Sequence, residues 1–327
     1  MNLDRPVEPL ITVENLSKTF PVRGGIFGRT IRRIQAVDRV FLSLYEGETL
    51  GVVGESGCGK STLARCMIGL ERPSLGHVRF LGEDVHARRG IKRSRLQRQM
   101  QMVFQDPMGS LNPRMSVLDI LTEAAVYHGI VNTRDRVPFA LKLLSDVGIS
   151  ENVLHRYPHA FSGGQRQRIS IARALALDPL CLICDEAVSA LDVSVQAQVL
   201  NLLLDLQDQR GLSYLFISHD VSVVSSLADR VAVMYLGQVV ELGENASVIG
   251  DAKHPYTVAL LDAVPVPGKQ VNEKRRVLSG EAASPAYPPS GCRFHPRCSA
   301  CMDLCTHVVP ELKPVVDGHW AACHLYG

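Results

Sequence analysis

The segment Gly54-Glu55-Ser56-Gly57-Cys58-Gly59-Lys60-Ser61 carries the most specific chemistry in the chain, and Thr62 continues it. It fits the pattern G-x-x-x-x-G-K-S, with β-rich residues before it and a helical pattern after it. Glycines let a backbone wrap closely enough for successive N–H groups to face phosphate oxygens. A helix starting where the loop ends adds the positive end of its dipole. The Lys60 ammonium can then reach the β- and γ-phosphates of ATP, and the Ser61 hydroxyl can ligate Mg2+. The opposing reading, a Gly-rich turn with a chance lysine, is disfavoured by eight matching residues and correct flanks. Cys58 reads as a small residue that fits the loop.

A second group lies further on. Cys181-Leu182-Ile183-Cys184 is a short apolar run ending in Asp185-Glu186. A buried strand of this kind would deliver both carboxylates to the carboxyl edge of a parallel sheet, where ligands bind in open α/β folds. Asp185 would hold Mg2+ through its water shell, and Glu186 would orient and polarise an attacking water as general base. Alone, the pair could equally be an ordinary acidic strand end; the Lys60 loop upstream decides for function.

Cysteines form the third group. Cys58, Cys66, Cys181 and Cys184 are scattered, whereas Cys292, Cys298, Cys301, Cys305 and Cys323 crowd the C-terminal end. In a cytosolic chain such a cluster reads as a metal site rather than as disulfides. The alternative is free, partly buried thiols.

The elements that must position these residues alternate. Ile11-Thr12-Val13, Val40 to Leu44 and Leu50 to Val53 read as short strands, with Gly24 to Gly28 and the basic Arg29 to Arg33 as a loop. A helix follows over 61–70. Residues 106–160 read as a mostly helical insert, including a helix at 137–147. The core resumes with helix 164–177, strand 181–185, helix 194–208 and strand 213–218, which implies a mainly parallel sheet. Prolines from Pro265 to Pro310 break the C-terminal part into an appendage held by loops.

Composition sets the limits. The 327 residues suffice for two domains, and 46% apolar residues supply a core. A net charge of +2 argues against a dedicated nucleic-acid binder. No secretory signal and no run of about 18 apolar residues is visible, so work at a membrane would require docking on spanning partners.

Four further motifs, in order along the chain, give a resemblance. Gln105 follows Met102-Val103-Phe104. Phe161-Ser162-Gly163-Gly164-Gln165 precedes Arg166-Gln167-Arg168 and a helix. Ser189-Ala190-Leu191-Asp192 follows the carboxylates. His219 follows Phe216-Ile217-Ser218. Together with the phosphate loop they resemble ABC transporter ATPases, matching the Q-loop, signature, D-loop and switch histidine. The resemblance implies an α/β P-loop NTPase fold with an antiparallel β subdomain, a helical subdomain and a Cys-rich C-terminal extension. It implies an ATPase domain over residues 1–250, the helical subdomain at about 106–165, and an extension over 251–327.

The family's mechanism implies that two such domains face head to tail around two ATP molecules. Ser162, Gly163, Gly164 and Gln165 would meet the γ-phosphate of the opposite site, with Asp192 in the D-loop nearby. His219 would contact the γ-phosphate and hold the water of Glu186 in line. Gln105 would sense Mg2+ and the γ-phosphate and couple them to the helical insert. Phe20 would stack on adenine; as a core aromatic near a strand end it has a plainer reading. Two departures stand out: Phe161 replaces the usual Leu, and Ala187 replaces the common Pro, which loosens φ at one turn.

Gln105-Asp106-Pro107 through Ser110-Leu111-Asn112-Pro113-Arg114, then Ala190 to Gln198, His254-Pro255-Tyr256-Thr257, and Gly291 to Cys298 resemble the peptide and nickel importer branch, nearly end to end. That branch implies peptide uptake, pairing with a sister ATPase, two membrane permeases and an external solute-binding protein, with the chain peripheral at the cytoplasmic face of the inner membrane. Cys292, Cys298, Cys305 and Cys323 match the branch's cysteines, associated with a [4Fe–4S] cluster; zinc stays open as the alternative. Cys301 is extra, and His295, His307, His319 and His324 read as surface residues. Two rivals are weaker: a non-transport ABC ATPase would carry coiled-coil inserts, paired cassettes or a basic surface, and a non-hydrolysing subunit would carry a degraded site.

Overall fold

A computed structural model describes residues 8–24, 29–263 and 283–327. In chain order the elements are β1 (Ile11–Gly24), β2 (Arg29–Leu44), β3 (Thr49–Val53), α1 (Lys60–Met67), β4 (Leu75–Phe80), β5 (Glu83–Asp84), α2 (Arg93–Gln99), β6 (Met100–Val103), α3 (Pro107–Ser110), α4 (Val117–Tyr127), α5 (Arg136–Asp146) and α6 (Gly163–Leu175). Then come β7 (Cys181–Asp185), α7 (Val193–Arg210), β8 (Ser213–Ser218), α8 (Val221–Ser225), β9 (Arg230–Tyr235), β10 (Gln238–Glu244), α9 (Asn245–Gly250), α10 (Pro255–Asp262), α11 (Asp303–His307), β11 (Lys313–Val316) and β12 (His319–Ala321). The chain divides into two compact units.

Of the described residues, the first unit takes 8–10, 44–48 and 80–217. Strands β6, β7 and β8 run parallel, with Val103 opposite Cys184 and Cys184 opposite Phe216. Every residue of β7 and β8 is buried, as a sheet covered on both faces requires, which is why these strands read as unbroken apolar runs. Helices α4, α5 and α6 pack on one another, and α6 also packs on β6 and α7. Leu121, Ala125, Ala140, Leu144, Ile169 and Ala172 are fully buried on α4, α5 and α6.

Of the described residues, the second unit takes 11–24, 29–43, 49–79, 218–263 and 283–327. Strand β3 lies parallel to β9, with Leu50 opposite Arg230, and every residue of β3 is buried. β9 turns antiparallel into β10. β1 lies between β2 and β4 in a separate sheet.

Two expectations need correction. Arg29 to Arg33, read as a loop, form the start of the 16-residue strand β2. Ile31, Arg32 and Arg33 are exposed there, so backbone pairing holds the strand without an apolar face to announce it. Residues Gly25 to Gly28 lie outside the described residues. The C-terminal segment is also more than loops: β12 pairs antiparallel with β10, Leu242 opposite Trp320, and β11 pairs with β12. Pro314 sits in the outermost strand, where a missing N–H costs no ladder bond.

Candidate functional site

In the second unit the phosphate loop follows β3 and runs into α1. Gly54, Gly57 and Gly59 all have positive φ, at 154°, 78° and 109°. A Cβ on Gly54 would stand 2.2 Å from the Met234 carbonyl oxygen, and one on Gly59 2.0 Å from that of Ala36. The loop is therefore pressed against two neighbouring backbones that only glycine lets it approach. Lys60 is buried, and its ammonium donates to the carbonyls of Gly54, at 2.7 Å, and Glu55, at 3.1 Å. The amine thus points back across the mouth of its own loop. Burial raises the Cys58 thiol well above its ordinary value against the opposing pull of Lys60, so the thiol stays protonated and inert. A backbone cradle shaped by glycines with a lysine turned into it fits a polyphosphate. Ser61 and Thr62 open α1, half-buried at its first turn.

Phe20, on β1 of the same unit, is half-buried, with the Lys18 ammonium 4.8 Å from its ring centre. His219 is exposed and directly follows β8.

In the first unit the carboxyl ends of the parallel strands gather Asp185, Glu186 and Gln105. Asp185 ends β7 at 5% exposure, opposite Ile217. The Glu186 amide donates to the Ile217 carbonyl at 3.0 Å, which carries the chain one residue past the strand. Glu186 then takes a left-handed backbone, φ 49°, that redirects the chain into the turn Ala187 to Leu191. A non-glycine residue held there costs energy, of order 1–3 kcal/mol, and such strain concentrates at functional positions. Gln105, two residues beyond β6, donates through Nε2 to Glu186 Oε2 at 2.8 Å. Sequence positions 81 apart thus meet at one sheet edge.

The signature stands on α6 of the same unit. Ser162 caps the helix: its hydroxyl accepts from the Gln165 amide at 3.3 Å, and the Gln165 side chain accepts from the Ser162 amide at 3.1 Å. This reciprocal box fixes the first turn with the Ser162 side chain exposed. Gly163 is exposed, and a Cβ on Gly164 would meet Val195 at 2.4 Å. Asp192 is exposed at the start of α7. Phe161 is 5% exposed and packs inward, as a residue in place of Leu should.

The tail cysteines are all free thiols in the second unit. Cys305 is buried, Cys292, Cys298 and Cys323 are half-buried, and Cys301 is exposed. Burial pushes the Cys292 thiol up to about 11, and charge on Cys305, Cys323 and Cys298 pushes it the same way. Among the described residues no three His, Cys, Asp or Glu side chains are drawn together tightly enough to hold a single metal ion. Of the tail histidines, His319 is not a surface residue: it is 1% exposed, with Nε2 2.7 Å from the buried Glu241 carboxylate. That carboxylate also accepts from the amides of Lys253 and His254.

Residues that sequence reasoning missed surround the phosphate loop. Tyr256 accepts from the Glu55 amide at 2.9 Å, and Arg297 pairs with the Glu55 carboxylate. Only their spatial placement reveals them, since each is some 200 positions or more away from the loop.

Comparison with known proteins agrees with this arrangement. Residues 37–189 match the family described as "ABC transporter", and residues 240–305 match "Oligopeptide/dipeptide transporter, C-terminal region". The chain is 49% identical over 322 residues to the oligopeptide transport ATP-binding protein AppF of Bacillus subtilis, covering 98% of each. It is 45% identical over 315 residues to the dipeptide transport ATP-binding protein DppF of Haemophilus influenzae, covering 96% of each. Among solved structures, the ATP-binding cassette MJ0796, described as dimeric in a post-hydrolysis state with ADP and Pi, superposes with a TM-score of 0.63 at 26% identity, covering 72% of this chain and 98% of that one. CbiO1 of Clostridium perfringens, part of an ABC transporter complex, gives 0.62 at 26% identity, covering 74% and 91%.

Proposed function

This chain belongs to the ATP-binding subunits of oligopeptide and dipeptide ABC transporters, and from that premise we propose that it hydrolyses ATP in a head-to-tail dimer of cassettes to drive uptake of short peptides. The observation that carries this reading is the phosphate loop: three left-handed glycines and a buried lysine turned into the cradle.

In this proposal Gly54 to Thr62 hold the triphosphate, with Lys60 on the β- and γ-phosphates, and Phe20 stacks on adenine. Mg2+ neutralises phosphate charge when bound, and Ser61, Asp185 and Gln105 are the residues that would hold it. Glu186 accepts a proton from the attacking water and aligns it in line with the leaving group. Gln105, bonded to Glu186, ties that carboxylate to the helical part, and His219 meets the γ-phosphate. Ser162, Gly163, Gly164 and Gln165, with Asp192, serve the nucleotide of the opposite cassette. The capping box supports that role, because it presents the helix start and its amides to solvent.

The partners in this proposal are a sister ATPase, two permeases and an external peptide-binding protein, with the chain peripheral at the cytoplasmic face of the inner membrane. No helix among the described residues is long and apolar enough to cross a membrane, so attachment would run through the permeases. Residues 1–250 serve as the ATPase domain and 251–327 as the extension. Cys292, Cys298, Cys305 and Cys323 are proposed as ligands of a [4Fe–4S] cluster, with zinc as the alternative; the crowding of four free thiols into the C-terminal segment supports this, and the metal would fix the fold of the extension. Iron, sulfide and zinc analysis after anaerobic purification tests that assignment, and a well-folded, metal-free tail would overturn it.

The test of function is transport. The chain is co-expressed with its permeases and ATPase partner in vesicles supplied with the peptide-loaded binding protein. Uptake coupled to ATP consumption is expected, abolished by Lys60→Ala; uptake without ATP consumption would refute the proposal.

A further inference from the structure

The turn Arg293 to Arg297 sits between Cys292 and Cys298, and both of its arginines reach the structure that holds the phosphate loop. Arg297 donates from Nη1 to Glu55 Oε2 and from Nη2 to Glu55 Oε1, each at 3.0 Å, a two-pronged pair. The side chains are 8% and 25% exposed, so water screens them poorly. Burial works against the Arg297 charge, and its bonds to Glu55 and Tyr235 outweigh that cost and hold the guanidinium charged. The Glu55 amide is itself held by the Tyr256 hydroxyl.

Arg293 secures the floor. It donates to the Leu236 carbonyl and, at 2.6 Å, to Asp38 Oδ2. The next residue, Gly237, donates to the Cys58 carbonyl at 2.7 Å and accepts from the Asp38 amide at 2.8 Å. Phe294, 2% exposed, packs between these anchors on Tyr235 and Tyr256. One five-residue turn of the tail therefore grips the loop at its flank and beneath it.

Glu55 is the second residue of a loop built for a polyanion. An uncompensated carboxylate there repels phosphate, and the repulsion is strong wherever water is scarce. We propose that Arg297 is a positioning residue for ATP: it cancels the Glu55 charge and holds the loop in its phosphate-binding shape, so the C-terminal tail sets nucleotide affinity. Lysine cannot substitute fully, because a point charge cannot engage both carboxylate oxygens in a fixed plane.

This inference rests on reading Gly54 to Ser61 as the ATP loop, and the experiment separates the two. MgATP affinity and melting temperature are measured on the purified importer complex carrying wild type, Arg297→Gln, Arg297→Lys, Glu55→Gln and the double variant Glu55→Gln/Arg297→Gln. Arg297→Gln is expected to weaken MgATP about tenfold and Arg297→Lys about threefold, by loss of the pair. The double variant, with the stranded carboxylate removed, is expected to recover to within about threefold of wild type. Affinity of Arg297→Gln within twofold of wild type, or a double variant as weak as the single, overturns the proposal and leaves Arg297 a purely structural tie. If Arg297→Gln does not fold, Arg297→Lys with and without Glu55→Gln carries the same comparison. A wild-type complex that does not bind MgATP overturns the ATP-loop reading instead.

Discussion

Gly59→Ala tests the geometry of the phosphate loop with a single methyl group. The new Cβ would stand 2.0 Å from the Ala36 carbonyl oxygen and 3.5 Å from the Gly237 Cα, while real Cβ contacts stay beyond 3.0 Å. The obstacle is backbone on both sides, so the loop must retreat by about 1 Å, and a 1 Å misplacement of binding groups can cost roughly 100-fold. The left-handed backbone at φ 109° adds strain of about 1–2 kcal/mol for any residue with a side chain. We therefore expect kcat/KM for ATP to fall about 100-fold, equivalent to about 2.7 kcal/mol of transition-state stabilisation. Gly57→Ala is the internal control: φ is 78°, and nothing lies within 4 Å of its Cβ, so only the strain applies. Steady-state ATPase of the assembled importer, with calorimetric MgATP binding, reads both variants. A Gly59→Ala importer as active as the Gly57→Ala one would refute the argument from close packing.

Three further outcomes are expected. Ser162→Ala removes the cap of α6, costing about 1 kcal/mol of stability, and should reduce ATP turnover of the assembled importer at least tenfold; melting scans with turnover assays check it, and unchanged turnover would remove Ser162 from the opposite nucleotide. Gln105→Ala removes the 2.8 Å bond to Glu186 and should lower kcat about tenfold while KM for ATP moves less than about threefold; a change confined to KM would contradict the positioning role. Burial pushes His254 down to about 3, so between pH 6.5 and that value the unfolded chain takes up a proton that the folded chain refuses. Stability should fall with acidification there by up to about 1.4 kcal/mol per pH unit from this group, and His254→Asn, whose carbonyl can still accept from the Tyr256 amide, should flatten that slope in denaturant titrations.

What the sequence revealed was local in origin. The phosphate loop, the apolar run before Asp185 and the signature box each declare themselves within about ten residues, because turn glycines, a doubly buried strand and a helix cap all leave dense local patterns. Helix 164–177 and strand 181–185 fall within two residues of their structural bounds for the same reason. Features built by pairing across the chain left no such trace. Arg297 meets Glu55 across 242 positions and Arg293 meets Asp38 across 255, and neither arginine differs in sequence from a solvated charge. His319 reads in sequence as a surface residue because only the fold brings the Glu241 carboxylate to it. Arg29 to Arg33 read as a basic loop because an exposed strand has no apolar alternation to display. Pro314 hid β11, whose outermost position tolerates a proline, and β12 is only three residues long.

The hydrolytic role of Glu186 is open to one decisive assay. Glu186→Gln keeps the side-chain volume and leaves the loop at Gly54 to Ser61 untouched, but it removes the base. In the assembled importer, steady-state phosphate release should fall at least about 100-fold while MgATP is retained with near wild-type affinity. Phosphate release at the wild-type rate from that variant would contradict the assignment of Glu186 and, with it, the proposed hydrolytic site.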